Sequence, residues 1–572
     1  MELEMLKVFL PDNSAVMNRS NIILIICSLV FSNICTATNW YVSPSGSDGN
    51  SGTLSSPFKT IDHAIDVANS GDIIELRGGN YPSSEIRITK NNLTIKSYHG
   101  EWAIISAPLD DEDIASCIWY SEPDVEGGTL ENLEITGGYY YGISFETNWD
   151  WGVLPKHGAS NITIRSCRIH DTGRDCVKIK PACNQIKILS CELYNSGIGP
   201  SNLPQNGGPN AEGIDNVNGD GMIVKNTFIH HTSTSGVYAK GGASDCIIEE
   251  NLVMNTGEAG ILLGFYTDAE FFDNDGSNPA YYECNNSIAR NNFVINTGGA
   301  GIGLFAARNC AAYHNTVVTA STSFHAPLYF SPGEIWINDN LTLTPANFNV
   351  QVFNNIFIDK SGTGEEEFTA QVREGGLSGT NVIDHNIYYK QAGAALFDDG
   401  VSWPYINFSQ WKSNLSIDGQ SLETDPQLDG NFHLLSGSPA IDIGINSSAE
   451  NDYESASRTG VPDLGADEFN NGTPLTIPPP TGVIGTGANG SPLSYNEIKK
   501  INYTIYPNPS RDLIRIETHE KINSIEVINI QGKVMMHSEK NELNIAHLSS
   551  GIYTVLININ GQISSAKITI IN

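Results

Sequence analysis

Between about Asn132 and Asn386 the chain repeats one short phrase. An apolar pair is followed by one or two polar residues, an Asn or Ser, and three residues that include apolar ones. It reads ITIRSCRI at 162–169, IKILSCEL at 186–193, MIVKNTFI at 222–229, IIEENLVM at 247–254 and IARNNFVI at 288–295. Aligned on the Asn or Ser, the phrases give a ladder of Asn132, Ser166, Ser190, Asn226, Asn251, Asn292, Asn315, Asn355 and Asn386. The gaps are 34, 24, 36, 25, 41, 23, 40 and 31 residues, a period near 24 that inserted loops lengthen. Strand-like phrases at that period predict a solenoid with one coil per repeat. Helical repeats would need a 3.6-residue pattern, which is absent. The expected fold is therefore all-β, a right-handed parallel β-helix. The Asn side chains are expected to stack from coil to coil in a turn.

Side chains alternate in and out along a coil. In GRDCVKIK, AEGIDNV, SGVYAKGG and AGILLGF the expected inward positions are Val177, Ile214, Val237 and Ile261. Three outward columns follow. The first holds Asp175, Glu212, Ser235 and Ala259. The second holds Ser144, Lys178, Asp215, Tyr238 and Leu262, and the third Glu146, Lys180, Val217, Lys240 and Gly264. Neighbours in a column should lie about 5 Å apart. Glu146, Asp175, Lys178, Lys180, Glu212, Asp215, Tyr238 and Lys240 thus share one predicted patch. Inserts flank it: residues 146–159 with Trp149, Trp151 and His157, residues 199–211, and residues 266–284 with Phe271, Phe272, Tyr281 and Tyr282. Long loops beside a rigid sheet concentrate function, and their aromatic rings suit stacking on sugars. Cross-strand charge pairs also stabilise sheets without further role. Eight polar or charged residues within four coils favour a site.

The ends read differently. Residues 21–34 are an apolar run behind Arg19, and 1–37 are expected to be a signal peptide, with Met17 as an alternative start. No second apolar stretch predicts a membrane span in the mature chain. Thr60 to Ala68 carries Ile61, Ala64, Ile65 and Ala68 at helical spacing, a helix that would cap the open end of the solenoid. Residues 473–492 are rich in Pro, Gly and Thr, as a linker is. Strand-like runs in 503–572 predict a small β-sandwich.

The YVSPSGSDGNSGT opening and the PFKTIDHAI helix resemble the N-terminal cap of secreted β-helix polysaccharide lyases and related carbohydrate-active enzymes. DPQLDGNFHLLSGSPAIDIG at 425–444 and DLGADEF at 463–469 look like that superfamily's closing segment. YPNP at 506–509, Gly532-Lys533 and LSSGIYTV at 548–555 resemble the type A C-terminal sorting domain of the type IX secretion system. The expected organisation is a signal peptide over 1–37, a catalytic β-helix over 38–470, a linker over 471–500 and a sorting domain over 501–572. The resemblance implies export to the medium or cell surface through the type IX machinery.

A formal net charge of −33 argues against nucleic acid or an anionic membrane as partner. It leaves room for an acidic polysaccharide gripped by local lysines. A monomer is expected. The ten Cys include no CxxC pair, so zinc ligation through them is not indicated. Cys167 and Cys191, 24 residues apart, should stack as a disulfide or as buried thiols.

The patch suits cleavage of a uronate-containing or sulfated polysaccharide. β-Elimination needs a base for the C5 proton, a cation for the carboxylate and an acid for the leaving oxygen. Lys178, Lys180 or Lys240 could serve as base or neutraliser and Tyr238 as acid. Glu146, Lys180, Trp149, Trp151, Phe272 and Tyr282 are the expected substrate contacts. Calcium-dependent pectate lyases of the β-helix type set a Lys base beside an Asp cluster, and no Asp-Asp pair marks one here. No cofactor is demanded. Ca²⁺ is the candidate, with Asp273 and Asp275 of FFDNDGSN as loop ligands, although the EF-hand spacing fails. The alternative is a glycoside hydrolase pairing Glu212 or Asp175 with Asp215 at the wide spacing of inverting enzymes. A non-catalytic glycan-binding adhesin is the third reading.

Overall fold

The computed structural model describes residues 37–148, 156–203, 209–273, 276–337, 340–359, 368–402, 405–469, 503–518, 521–529, 534–538, 540–559 and 562–571. The expected leader, save Ala37, and the expected linker lie outside them. The described residues form two compact units that divide within that linker stretch.

The first unit is built from three long parallel sheets, two of twelve strands and one of eleven. Each coil contributes one short strand to each sheet, so hydrogen bonds run between coils. Alternation fixes what faces inward. In the first sheet Ile95, Leu130, Ile164, Ile188, Val224 and Ile248 pair in register coil after coil. All are at most 1% exposed. Such stacks bury apolar area continuously, which is why no single coil need be stable alone.

The Asn ladder exists, but in a register that the repeat alignment missed by one residue over its first half. Asn386, Asn355, Asn315, Asn292 and Asn251 are bonded in series, each amide Oδ1 accepting from the backbone N of the coil before at 3.0 Å. The series continues to Thr227 and Cys191, not to Asn226 and Ser190. Asn132, Ser166, Ser190 and Asn226 occupy the preceding position, with φ between 50° and 53°. Asn tolerates that left-handed turn because its short polar side chain bonds locally. Both positions carry Asn for different reasons, and the alignment merged them.

Helix α1 (Ile61–Val67) closes the first end as expected. Thr60 caps it by accepting from His63 N, and Ile61, Ala64 and Ile65 are buried. A second helix, α2 (Phe408–Leu415), is not among the elements expected from the sequence. Its signal was the Asn407/Gln410 capping box. Fully buried Trp411 packs on Phe397 in the last coil of the eleven-stranded sheet and donates from Nε1 to Asp418 Oδ2 at 2.7 Å. Residues 425–469 carry almost no regular structure, and they place Leu434, Ala440, Tyr453, Leu464 and Ala466 in one core with Phe293, Val318 and Ile356 of the third sheet. Cys167 and Cys191 are free and buried, as are the other described cysteines. Among the described residues no helix is long and apolar enough to cross a membrane.

The second unit has a three-stranded and a four-stranded antiparallel sheet that share one core, including Ile514, Ile516, Val527, Val555 and Ile568. Because each unit has its own core, deleting residues 471–572 should leave the melting transition of the β-helix in place, checked by calorimetry of the truncated chain. Loss of that transition would show the division to be misplaced.

Candidate functional site

The eleven-stranded sheet carries the predicted columns. Strands Tyr141–Phe145, Val177–Ile179, Ile214–Val217, Val237–Lys240 and Ile261–Leu263 pair in parallel. Ile143, Val177, Ile214, Val237 and Ile261 stack inward, each 0% exposed. One residue on, Ser144, Lys178, Asp215, Tyr238 and Leu262 form the expected outward column.

Asp175, Glu212 and Asp215 each bring a carboxylate oxygen within 4.8 Å of the others. The tight carboxylate cluster that no Asp-Asp pair announced is therefore assembled across two coils. Glu212 N donates to Asp175 Oδ1 at 3.0 Å, and Thr234 Oγ1 donates to Glu212 Oε1 at 2.7 Å. Lys178 Nζ is ion-paired with Asp215 Oδ2. All three acids are buried. Burial, then the charges of Asp215 and Glu212, hold the Asp175 carboxyl well above its usual range. Burial and Asp215 raise Glu212 likewise. Burial opposes the Lys178 charge, but Asp215 and Asp175 more than offset it and keep that ammonium protonated.

Glu212 Oε2 and Asp215 Oδ1 are buried without a hydrogen-bond partner. Hard, anionic, unpaired oxygens converging on one point are a donor set for a divalent cation such as Ca²⁺. Asp175, Glu212 and Asp215 are the residues that could hold one. The loop pair suggested for calcium does not assemble as expected: Asp273 is ion-paired with Lys156, and Asp275 lies outside the described residues.

The three lysines differ. Lys178 is committed to Asp215, and Lys180 Nζ reaches Glu146 Oε2 at 2.9 Å. Lys240 has no carboxylate partner among the described residues. Its Nζ lies 4.6 Å from the Tyr238 ring centre and 5.5 Å from that of Phe265, and donates to Tyr266 O at 3.4 Å. Its charge still reaches Glu212 and helps lower that acid.

Two expected roles change. Tyr238, 1% exposed, is packed with Leu262, Phe305 and Tyr329 and forms a platform for Lys240. Phe272, 2% exposed, is core of its insert and packs edge-on against Tyr281. Tyr282 turns its ring to Arg308 and Phe348, at 4.9 and 6.3 Å. Trp149 and Trp151 lie outside the described residues.

Tyr141 was missed. It precedes Ile143 by two residues, as Asp175 precedes Val177, so it heads the first column. Burial, then the charges of Asp175 and Asp215 against that of Lys178, push its phenol up to about 12. The register that linked Glu146 to Lys180 contained this signal too.

Glu283 is the other unforeseen group. Fully buried, it accepts from Gly241 N, Thr267 N and Thr267 Oγ1 at 2.9, 2.9 and 2.7 Å. It thereby ties the 266–284 insert to the turn after Lys240. Burial outweighs these bonds and pushes its carboxyl up to about 8. A carboxyl raised in the folded state stabilises fully below its unfolded value, and the effect is lost as pH rises through about 8. Stability should fall by about 1.4 kcal/mol per pH unit between those limits from this group. Comparing urea midpoints of the wild type and Glu283→Gln from pH 5 to 9 checks it, since the variant should lack that slope.

Three long parallel sheets wound coil on coil define a right-handed β-helix protein, here with a buried three-acid cluster on one sheet. Residues 40–326 match the family model described as Pel9A-like, right-handed β-helix region. The chain belongs to that family. Residues 504–572 match the secretion system C-terminal sorting domain, so the protein is secreted or held at the cell surface. It is 44% identical over 216 residues to pectate lyase PEL9 of Emericella nidulans, covering 35% of this chain and 49% of that one. The chain thus spans about half the length of that relative. It is 24% identical over 468 residues to the uncharacterised protein YwoF of Bacillus subtilis, 70% of this chain and 91% of that one. Among solved structures, pectate lyase Pel9A aligns with a TM-score of 0.43 at 16% identity, over 77% of this chain and 98% of that one.

Proposed function

We propose that the protein is an extracellular polysaccharide lyase that cleaves a uronate-containing chain by β-elimination. The observation that carries this reading is the buried Asp175–Glu212–Asp215 cluster beside Lys240, a lysine with no carboxylate partner among the described residues. A divalent cation held by these three acids would neutralise the substrate carboxylate and so acidify C5–H.

The chain's own groups divide the remaining work. Lys240, raised on the Tyr238 and Phe265 rings, takes the C5 proton when its amine is neutral. Lys178 keeps its charge and holds Asp215 in place. Tyr141, half-buried and protonated at neutral pH, is the donor to the leaving oxygen in place of Tyr238. Lys180 and Glu146, paired at the margin, contact the polymer.

The family and the local likeness to a pectate lyase make polygalacturonate the first substrate to try. The inverting-hydrolase reading is weaker, because the acid oxygens within 4.8 Å stand closer than the roughly 6.5–9.5 Å of inverting glycosidases. Digestion of pectate, alginate, glycosaminoglycan and sulfated fucan, with and without Ca²⁺, tests the proposal. New ultraviolet absorbance from an unsaturated uronate is the expected result. New reducing ends without it would establish hydrolysis, and binding alone an adhesin.

A further inference from the structure

A second group of metal-binding side chains lies far along the chain from the first, in the closing segment 425–469. His433, Glu454 and Asp467 place ligand atoms within 4.8 Å of one another. His433 Nε2 and Glu454 Oε1 are 2.8 Å apart. Asp467 Oδ2 accepts from Leu434 N at 2.7 Å, which fixes that acid beside the histidine. The His433 and Glu454 side chains are 6% and 4% exposed.

Independent of that trio, Asp452 is 0% exposed. Its Oδ1 accepts from Ala456 N at 2.9 Å, whereas Oδ2 has no hydrogen-bond partner. Glu454 and Asp467 are among the charges that act on it. Glu454 Oε2 and His433 Nδ1 are buried and without hydrogen bonds as well, the latter 3.7 Å from Asp429 Oδ1. One nearby cation is Arg458, and its guanidinium is engaged by Glu468 and by the carbonyls of Gly465 and Ala466, while His433 is paired with Glu454. Two carboxylates, Asp452 and Glu454, and an imidazole, each with an orphaned buried atom, are costly to leave uncompensated.

The segment needs such a fastening. It has little regular structure, yet it covers apolar residues of the third sheet, and its three parts around 433, 452–454 and 467 converge at this point. We propose that His433, Asp452, Glu454 and Asp467 bind a structural divalent cation that staples the closing segment. The mixed imidazole and carboxylate set favours Zn²⁺ or Mn²⁺ over Ca²⁺, which prefers oxygen alone.

The test uses the full secreted chain, stripped with chelator. Zinc titration followed by calorimetry should find this site in Glu212→Gln, whose carboxylate belongs to the other cluster. His433→Gln should bind zinc there at least tenfold more weakly, and Asp452→Asn should do the same if His433→Gln fails to fold. Limited proteolysis within 425–469 should slow on adding Zn²⁺ or Mn²⁺ to the parent and not to the variants. Unchanged zinc affinity in both variants, protection by Ca²⁺ alone, or proteolysis indifferent to metal would overturn the proposal. None of these readouts depends on the reaction at the other cluster.

Discussion

Lys240→Met should fold like the wild type and turn over its polymer at least about 100-fold more slowly, the usual cost of removing a general base. Methionine keeps most of the stem and its contact with the rings. The charge it removes contributes about 1 kcal/mol through a half-exposed cation–π contact. Melting should therefore barely move, while kcat falls with KM little changed, because proton abstraction is a transition-state interaction. Circular dichroism melting and initial rates of unsaturated-product absorbance provide the check. Turnover within a few-fold of wild type would take Lys240 out of the chemistry.

Asp215→Asn is a less clean probe than an exposed ion pair would allow. A surface pair is worth about 0–1 kcal/mol. Here Asp215 is 1% exposed and faces a largely buried Lys178. Removing one charge strands the other, at about 3–5 kcal/mol. Loss of activity in that variant would mix folding with chemistry, which Lys240→Met avoids.

Asn292→Leu should destabilise the β-helix by about 3 kcal/mol or more. Asn292 Oδ1 accepts from both the backbone N and Nδ2 of Asn251 at 3.0 Å, and its Nδ2 donates to Ile248 O and Asn315 Oδ1 at 2.9 Å. Leucine has similar volume but leaves at least two buried backbone groups unpaired, at about 1–3 kcal/mol each. The control is Gln351→Leu, at an exposed strand position, which should stay within about 0.5 kcal/mol of wild type. Urea unfolding of the two variants separates them. Equal midpoints would mean that the amide stack contributes nothing.

Alternation and a 24-residue period were legible in the chain alone. A strand's side chains must alternate, and stacked coils must repeat, so Val177, Ile214, Val237 and Ile261 could be aligned without coordinates. That alignment put Lys178 beside Asp215 and Glu212 beside Asp175, and the cap helix and the sorting domain were also readable. Depth was not legible. Tyr238 and Phe272 look like exposed aromatic rings on paper, and only the packing of the 266–284 insert and neighbouring coils buries them. The ladder register was ambiguous because Asn suits both a left-handed turn and an amide stack, and hydrogen bonds across coils decided between them. Proximity across long inserts was likewise undetermined. Asp175 and Asp215 are 40 residues apart, and His433 and Asp467 are 34 apart. A pattern along the chain predicts which face a side chain takes. It does not carry how far that face is from water or which distant loop folds over it, because both depend on contacts that exist only once the coils have stacked.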